Sequence, residues 1–538
     1  MNNTGLASGV PFGSQAWMIA ITALLSSTIF AAPALAQGTL DVISYGDLRI
    51  LDPYKGTGNS AYHAQMIYDT LLNVDPDNVP QPQMVDEWSI SDDGLEYTFT
   101  LREGLLFTDG SPVTSEDVIA SAKRWNALAA TGQSSPIDPE GYEAIDDTTF
   151  AIRLERPYPL FLHAIGSTFA PLFVMRAEDL DIALDENVTT SVGSGPFIFE
   201  SANWSPGARV MYRKNEDYTP RSEPANGFAG GRNVYVDEVV WHNIPDSQTA
   251  LSALETGEVV FIESVEGEEL ARGREIENVA EAGSSSRGQS HMMVINHTVP
   301  PFDTVDGRQA MLHLINPHDV LLGALGNEDL FETCGSFYIC GSQYAKPAGL
   351  DGLAAEPDLD RAQELLDLAG YDGEPITILM ATDRPQNFNA SQVFAYQLEQ
   401  LDTLNVESAI MDWGALTTRR ASRELPADGG WTMFYTTGYT TSQSDPAFHF
   451  NARMMCDDGW FGWACDPEIE QMRTSWADVE DEDERALAAQ ALQERWAQAL
   501  PFIPLGAVSN RSIYREDRIE GVLDTPIRTP LWNISLID

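Results

Sequence analysis

The most regular hydrophobic pattern in the chain lies around residue 100. Apolar and polar side chains alternate there, with the apolar ones at Leu95, Tyr97, Phe99 and Leu101. A period of two predicts a β-strand with one buried face. Turn sequences flank the strand, Asp93-Gly94 before it and Glu103-Gly104 after it. The pattern by itself suits any antiparallel hairpin.

A helix is predicted shortly after this strand. Thr114 can cap it and Asp117 occupies its third position, ahead of an apolar stripe at Val118, Ile119, Ala122 and Trp125. Further along, strands are predicted at 235–244 and 259–262 with a helix between them. The same order recurs with a strand at 290–296, a helix at 305–315 and a strand at 376–380. It continues with a helix at 392–401 and a strand at 407–411. Strand–helix–strand order is typical of parallel-sheet units, so the predicted class is α/β.

Residues 82–118 also carry turn, aromatic and charged residues at fixed spacing. The positions are Pro82, Trp88, Asp93-Gly94, Tyr97, Phe99, Leu101-Arg102, Gly104, Phe107, Asp109-Gly110, Pro112 and Asp117-Val118. This set resembles the signature of the family 5 (peptide/nickel-type) periplasmic solute-binding proteins of ABC transporters. A second match follows at Asn296, Pro300-Pro301-Phe302-Asp303 and Arg308-Gln309-Ala310. Asn316-Pro317 departs from the Asp-Arg that the family usually has there.

The resemblance implies a two-lobed periplasmic binding protein (type II, cluster C) with an extra subdomain inserted in lobe one. We expect a signal peptide at 1–36, lobe one at 37–294 with the subdomain at about 74–190, lobe two at 295–500, and a return to lobe one at 501–538. The strand at 502–505 is expected to make that return. Crossings near 291–297 and 502–507 are expected to form the hinge.

Charge narrows the classes of partner. The 538-residue chain has a formal net charge of −50, which excludes nucleic-acid backbones as natural partners and argues against adhesion to anionic membranes. Lysine occurs only at 55, 123, 214 and 346. An acidic, lysine-poor surface suggests a saline habitat, with an ordinary acidic secreted protein as the alternative.

The first 36 residues have the pattern of an export signal. An apolar run at 16–30 precedes an A-x-A sequence at Ala34-Leu35-Ala36, which places cleavage before Gln37. Residues 1–16 contain no Lys or Arg, which departs from the usual signal. No cysteine lies near the cleavage site, so we expect a periplasmic protein with no lipid anchor.

Four cysteines form two close pairs, Cys334 with Cys340 and Cys456 with Cys465. In an exported protein an even number of cysteines favours disulfide bonds. Three pairings are possible, and the short-range one is favoured. A four-cysteine metal site is the alternative, although intervals of five and eight residues fit zinc knuckles poorly.

Catalytic motifs are missing from the sequence. None of the eight histidines forms an H-E-x-x-H pair, and neither G-x-S-x-G nor C-x-x-C occurs. The sequence therefore predicts a protein that is not an enzyme and needs no cofactor and no metal. A secreted hydrolase is the alternative from another class, and it would need a nucleophile–base pair.

A solute receptor needs a cleft with aromatic walls and a few polar groups. In peptide-binding members of the family, the loop that matches Thr57, Gly58, Asn59 and Ser60 contributes to the ligand site. On lobe two the candidates are Trp413, Trp431, Tyr439, Thr440 and Ser442. Trp413 and Tyr439 are expected to stack on the ligand, while Asn59, Thr440 and Ser442 bond its polar groups.

The resemblance also bears on the ligand. Peptide binders of the family carry an Asp that pairs with the ligand's amino terminus, and spacing back from Asp445-Pro446 places Ser442 there. A hydroxyl cannot neutralise an ammonium in a desolvated cleft, which puts an ordinary peptide in doubt. We expect a short peptide or another polar organic solute, with a sugar oligomer, an opine-like compound or a nickel or haem complex as alternatives. The expected partners are the permease and ATPase subunits of an ABC importer, and the expected state is a monomer.

Overall fold

The computed structural model describes residues 38–537 except 57, 77–78, 169, 266, 284–287, 348, 351, 354–355, 440–442, 480 and 526–527, and it omits the side chains of 439, 450 and 458. The strands are β1 (Thr39–Ile43), β2 (Leu72–Val74), β3 (Pro80–Pro82), β4 (Val85–Ile90), β5 (Glu96–Leu101), β6 (Ile137–Ala144), β7 (Thr149–Leu154), β8 (Phe197–Phe199), β9 (Arg209–Lys214), β10 (Glu238–His242), β11 (Phe261–Val265), β12 (Val279–Ala282), β13 (Gln289–Ile295), β14 (Phe331–Glu332), β15 (Pro375–Ala381), β16 (Asn405–Met411), β17 (Met433–Tyr439), β18 (Phe502–Val508), β19 (Arg511–Arg515), β20 (Ile519–Glu520) and β21 (Ser535–Leu536).

The α-helices are α1 (Gly58–Ile67), α2 (Ser115–Leu128), α3 (Ala130–Gln133), α4 (Phe161–Ile165), α5 (Ser247–Thr256), α6 (Gly267–Gly273), α7 (Val305–Leu312), α8 (Pro317–Leu325), α9 (Leu359–Ala369), α10 (Pro385–Leu398), α11 (Trp413–Arg419), α12 (Pro467–Trp476) and α13 (Glu482–Ala499). Within the described residues, no helix combines the length and the apolar character that a membrane crossing requires.

Lobe one is built on a seven-stranded sheet in the order β12-β19-β11-β1-β10-β9-β8. The β10-α5-β11 unit is parallel, as predicted, and β1 lies between its two strands. Asp246 caps the start of helix α5 by accepting the N–H of Thr249, and Gly257 follows its end in the left-handed region. Antiparallel β9 and β8 extend the sheet, so lobe one is mixed.

Lobe two is built on a six-stranded sheet in the order β14-β18-β13-β17-β15-β16. The β15-α10-β16 unit is parallel, as predicted. The expected parallel relation between the strand at 290 and the strand at 380 is wrong, because β17 lies between them, parallel to β15 and antiparallel to β13. Both lobes are therefore α/β with mixed sheets.

A four-stranded antiparallel sheet, β4-β5-β7-β6, is inserted between α1 and β8 of lobe one. The inward side chains of β5, Tyr97, Phe99 and Leu101, are buried, in the alternation that the sequence predicts. Burying one such side chain stabilises the fold by about 1.5–3 kcal/mol. The N–H of Thr114 donates to Asp117 at 2.9 Å at the start of α2. The signature region at 82–118 thus forms the core of this subdomain.

The chain passes between the two large sheets twice. The first passage lies between β12 and β13, and the second lies between β18 and β19. The expectation that 502–505 returns to lobe one is wrong, because β18 pairs with β13 and β14. Strand β19 makes the return by pairing with β11 and β12. Residues 289–294 and 501–508 therefore belong to lobe two, and the crossings lie outside 291–297 and 502–507.

A buried ion pair fastens the first loop of lobe one to the inserted subdomain. Arg124 on α2 donates to Asp52 at 2.5 Å, and the two side chains are 3% and 0% exposed. Asp52 also accepts the N–H groups of Tyr54 and Val188 at 3.0 and 3.1 Å. Arg124 donates in addition to the carbonyl of Glu186 at 3.0 Å. Asp52 is thus engaged on both oxygens, whereas the buried Nε of Arg124 has no hydrogen-bond partner within the described residues.

Disulfide bonds join Cys334 to Cys340 and Cys456 to Cys465, with Cα–Cα distances of 5.8 and 4.1 Å. This is the short-range pairing that the sequence favours. In the chain-entropy account, a bond that closes such a short loop stabilises the fold by about 2–3 kcal/mol.

Candidate ligand-binding site

A cavity of about 720 Å³ lies between the two lobes. Lobe one lines it with residues that follow β1 and end β11, and lobe two with residues that follow β15 and β16. These are the carboxyl ends of parallel strands, where open α/β sheets bind their ligands. Small-ligand sites occupy roughly 300–1,000 Å³, so the cavity suits a compact organic molecule.

The wall from lobe one is organised around Glu263 at the end of β11. Its carboxylate forms a two-pronged ion pair with the guanidinium of Arg528, which comes from the C-terminal segment. The second oxygen of Glu263 also accepts the N–H of Tyr45 at 2.8 Å. The remaining nitrogen of Arg528 donates to Asn59 at 2.9 Å and to the carbonyl of Gly58 at 3.2 Å. One arginine thus holds three segments of lobe one together.

Tyr62 on α1 lies directly behind this ion pair. The Arg528 guanidinium carbon lies 4.2 Å from the centre of its ring, and the ring stacks on Trp241 with 5.3 Å between the ring centres. Burial raises the pKa of Tyr62 well above its usual value, and the Glu263 carboxylate raises it further. The phenol therefore stays neutral, and its hydroxyl donates to the carbonyl of Thr529.

The wall from lobe two is formed where α10 and α11 begin. Arg384 precedes α10 and Pro385 is its first residue, a position that proline favours. Trp413 begins α11, and its backbone N–H donates to the Asp383 carboxylate at 2.7 Å. The Arg384 guanidinium lies 5.7 Å from the centre of the Trp413 ring, within cation–π range. Gln386 and Asn387 of the first turn of α10 also face the cavity.

The structure brings three of the nine predicted ligand residues to the cavity, namely Gly58, Asn59 and Trp413. Ser60 is buried beside them but does not line the cavity. Tyr439 ends β17, and its backbone is in register with Gln289, which does line it. Thr57, Thr440 and Ser442 lie outside the described residues.

Trp431 is a core residue rather than a wall of the cavity. Its side chain is 0% exposed, its indole N–H donates to the carbonyl of Ser422 at 3.2 Å, and it packs edge-on against Phe434 at 5.1 Å. An aromatic residue just before a central strand is held inside by the sheet, so the expected role in ligand contact needs correction.

The charged residues of the cavity were not singled out from the sequence. The sequence does contain a signal that could have pointed to Arg384. The proline that follows it comes after a parallel strand, and such a proline marks the start of a helix at the ligand-binding end of the sheet. The hydrophobic pattern predicts a helix over 392–401, which begins seven residues after the observed start of α10. Glu263 and Arg528 are 265 residues apart, and nothing local in the sequence joins them.

Comparison with known proteins places the chain in a family. A family model described as "Bacterial extracellular solute-binding proteins, family 5 Middle" matches residues 79–458. The protein is a family 5 solute-binding protein. Its family acts outside the cytoplasm and consists of solute receptors, which agrees with the cavity between the lobes.

Relatives of this family 5 protein span nearly its whole length. It is 36% identical over 514 residues to the probable peptide ABC transporter periplasmic-binding protein y4tO of Sinorhizobium fredii, covering 94% of this chain and 95% of that one. It is 26% identical over 459 residues to the glutathione-binding protein GsiB of Salmonella typhimurium, covering 81% and 80%. The solved structure of DppA from Helicobacter pylori in complex with peptide STSA has a TM-score of 0.75 at 23% identity, covering 93% and 98%, and shows the same two-lobed fold.

Metal ligands do not cluster in the described part of this family 5 protein. There, no three side chains of His, Cys, Asp or Glu are placed to hold a metal ion together. The polar groups of the cavity are instead arginines, amides, hydroxyls and two carboxylates, which suit an organic ligand.

Asp445, three residues after Ser442, gives a pH-dependent prediction. Its carboxylate accepts the N–H of Phe448 at 3.1 Å, and burial raises its pKa to about 6. In the unfolded chain it titrates near pH 4. The folded protein therefore holds the proton more tightly, and stability falls as pH rises from about 4 to 6. We expect Asp445→Asn to be about 3 kcal/mol more stable than the wild type at pH 8, with no difference at pH 4.

Thermal unfolding of both proteins from pH 4 to pH 8 measures this difference. Asp92→Asn, at an exposed turn, is the control and should follow the wild type throughout. A constant gap between Asp445→Asn and the wild type would show that the aspartate is ionised in the folded protein at every pH tested.

Proposed function

We propose that this protein is an extracytoplasmic receptor that captures a peptide, or a related polar organic solute with a free carboxylate, between its lobes and delivers it to an ABC importer. The observation that carries the proposal is the arginine at the start of α10. Arg384 lines the cavity, and no described carboxylate lies within ion-pair distance of its guanidinium.

The surroundings of Arg384 suit a carboxylate. The N-cap side chain of α10 makes no capping hydrogen bond. The backbone N–H groups of Gln386 and Asn387 in the first turn are therefore available to donate to a ligand. The N-terminus of a helix carries a partial positive charge and binds anions. An arginine and two such amides together form a geometry that recognises a planar carboxylate. Trp413 beside them supplies an apolar face for the rest of the ligand.

The relatives support this class of ligand. The relative y4tO is named as a probable peptide-binding protein of an ABC transporter, and GsiB as a glutathione-binding protein. The DppA structure contains a peptide. Peptides and glutathione all carry terminal carboxylates. A receptor role also accounts for the size of the cavity and its place between two lobes, since such receptors close around their ligand.

Titration of intrinsic tryptophan fluorescence with peptides tests the proposal. The probes are a library of di- to tetrapeptides that includes Ser-Thr-Ser-Ala, as free acids and as C-terminal amides. We expect saturable binding of free acids, one per chain, and at least tenfold weaker binding of their amides. Equal binding of acids and amides would show that Arg384 does not recognise the ligand carboxylate. Conversion of the probes into products would favour a secreted hydrolase.

We further propose that the mature receptor is a monomer in the periplasm, produced by cleavage after Ala36. Small residues at positions 34 and 36 fit the signal peptidase requirement. The intact mass of protein recovered from the periplasm of an expressing bacterium should correspond to residues 37–538. The Ala36→Leu variant should accumulate uncut. A mature amino terminus elsewhere, or a membrane-bound product of full length, would contradict this assignment.

A further inference from the structure

We infer that the ligand is a net anion with no free amino group, such as an N-acylated amino acid or peptide, rather than a zwitterion. This inference rests on the proposed function, since it concerns the same cavity. It follows from the charged side chains of the cavity wall that the structure describes and from the partners of the two carboxylates among them.

Among the described residues, five charged side chains line the cavity: Asp47, Arg49, Glu263, Arg384 and Arg528. Three arginines and two carboxylates leave a net charge of +1. The whole chain carries −50, so the cavity has the opposite sign to its surroundings. A positively charged cavity in such an acidic protein is complementary to an anion.

Both carboxylates in the wall are already engaged on both oxygens. One oxygen of Asp47 accepts the N–H of Gly207 at 2.7 Å, and the other pairs with Arg49 at 2.8 Å. Glu263 uses both oxygens for Arg528 and one of them also for the N–H of Tyr45. Each carboxylate of the wall is therefore paired with an arginine, which offsets the charge that would attract a ligand ammonium.

The charged groups just outside the wall contact neighbouring residues and do not line the cavity. Asp383 accepts the N–H of Trp413, and Asp412 accepts the N–H of Ala415 at 2.9 Å. Neither of them lines the cavity, and Arg420 lies 5.7 Å from the centre of the Trp413 ring beside them. The residues at 440–442 are Thr-Thr-Ser and carry no charge in any arrangement.

Helix ends add to the positive character of the cavity. The first residues of both α1 and α10 line it, Gly58 and Asn59 from lobe one and Pro385, Gln386 and Asn387 from lobe two. Each helix end contributes a partial positive charge toward the space between the lobes. A buried ammonium would face these ends while both described carboxylates of the wall are already paired with arginines, which is unfavourable. Acylation of the amine removes that charge and keeps the carboxylate for Arg384.

A competition between matched libraries tests the inference. The purified, ligand-stripped protein is incubated with an equimolar mixture of a di- to tetrapeptide library and the same library acetylated at its amines. Retained molecules are separated by gel filtration and identified by mass spectrometry. We expect acetylated members to be enriched at least tenfold over their free-amine counterparts.

A designed variant gives a second, independent measurement. Thr437 on β17 lines the cavity, and Thr437→Asp places a carboxylate there, with Thr437→Asn as the matched control. We expect the aspartate variant to shift retention toward free-amine peptides at least tenfold relative to the asparagine variant. An unchanged ratio would contradict the charge argument.

The outcomes separate this inference from the function on which it rests. Equal or preferred retention of free-amine peptides would overturn the inference and leave a carboxylate receptor in place. Retention of neither library would contradict the proposed function, and the inference would fall with it.

Discussion

Replacement of Arg384 by glutamine is expected to weaken the binding of carboxylate-bearing peptides about 10–100-fold. A hydrogen bond to a charged group contributes about 1.5–3 kcal/mol, and each 1.4 kcal/mol changes an affinity tenfold. Arg384 is exposed and its guanidinium pairs with no described carboxylate, so its loss should leave stability within about 0.5 kcal/mol of the wild type. Isothermal titration with the peptide that the wild type retains best measures the loss.

Arg361→Gln is the matched control for this experiment. Arg361 is an exposed arginine of lobe two on α9, paired with Glu364 and away from the cavity. Its replacement should leave the affinity unchanged within a factor of two. If Arg384→Gln and Arg361→Gln bind the free acid equally well, the carboxylate is held elsewhere. Acid and amide forms should also bind Arg384→Gln with nearly equal affinity, which a general loss of structure would not produce.

Replacement of Asp52 by alanine is expected to lower the free energy of unfolding by about 3–5 kcal/mol. The change leaves the Arg124 guanidinium in a site that is 3% exposed without its carboxylate. Removal of one partner of a buried pair costs this much because the remaining charge is uncompensated. It also leaves the N–H groups of Tyr54 and Val188 without an acceptor. Urea unfolding followed by circular dichroism measures the loss.

Glu96→Ala supplies the comparison, because Glu96 pairs with Arg153 in the same subdomain at an exposed site. An exposed pair contributes about 1 kcal/mol or less, so this variant should remain close to the wild type. The double variant Asp52→Leu with Arg124→Met should recover part of the loss by removing both charges. Similar losses in Asp52→Ala and Glu96→Ala would show that the Asp52–Arg124 site is accessible to water in solution.

Much of the fold can be predicted from the local pattern of apolar and polar residues in the sequence. The alternation at Tyr97, Phe99 and Leu101 predicts the buried face of β5, and strand–helix–strand order predicts the parallel units of both lobes. These features are short-range consequences of where apolar side chains fall in a strand or helix. The way in which β13 and β18 pair is a long-range property, and the strand order could not be read from either segment alone.

The binding site was predicted only in part, for a similar reason. Asn59 was found because the resemblance to the family points to its loop, and Trp413 because an aromatic residue is visible in a single segment. The pairing of Glu263 with Arg528 depends on two segments that meet only in the folded chain. Trp431 and Trp413 are chemically identical in the sequence, and only packing decides that one is core and the other lines the cavity.

The position of β19 has a consequence for the order in which the chain folds. Every strand of the lobe two sheet lies within residues 289–508, so that lobe can form as soon as this continuous segment is available. The lobe one sheet needs β19 between β11 and β12, and its cavity wall needs Arg528. Lobe one is therefore completed last, when the final thirty or so residues arrive, although most of it is synthesised first. A chain truncated before residue 511 should retain lobe two and lack one half of the binding site.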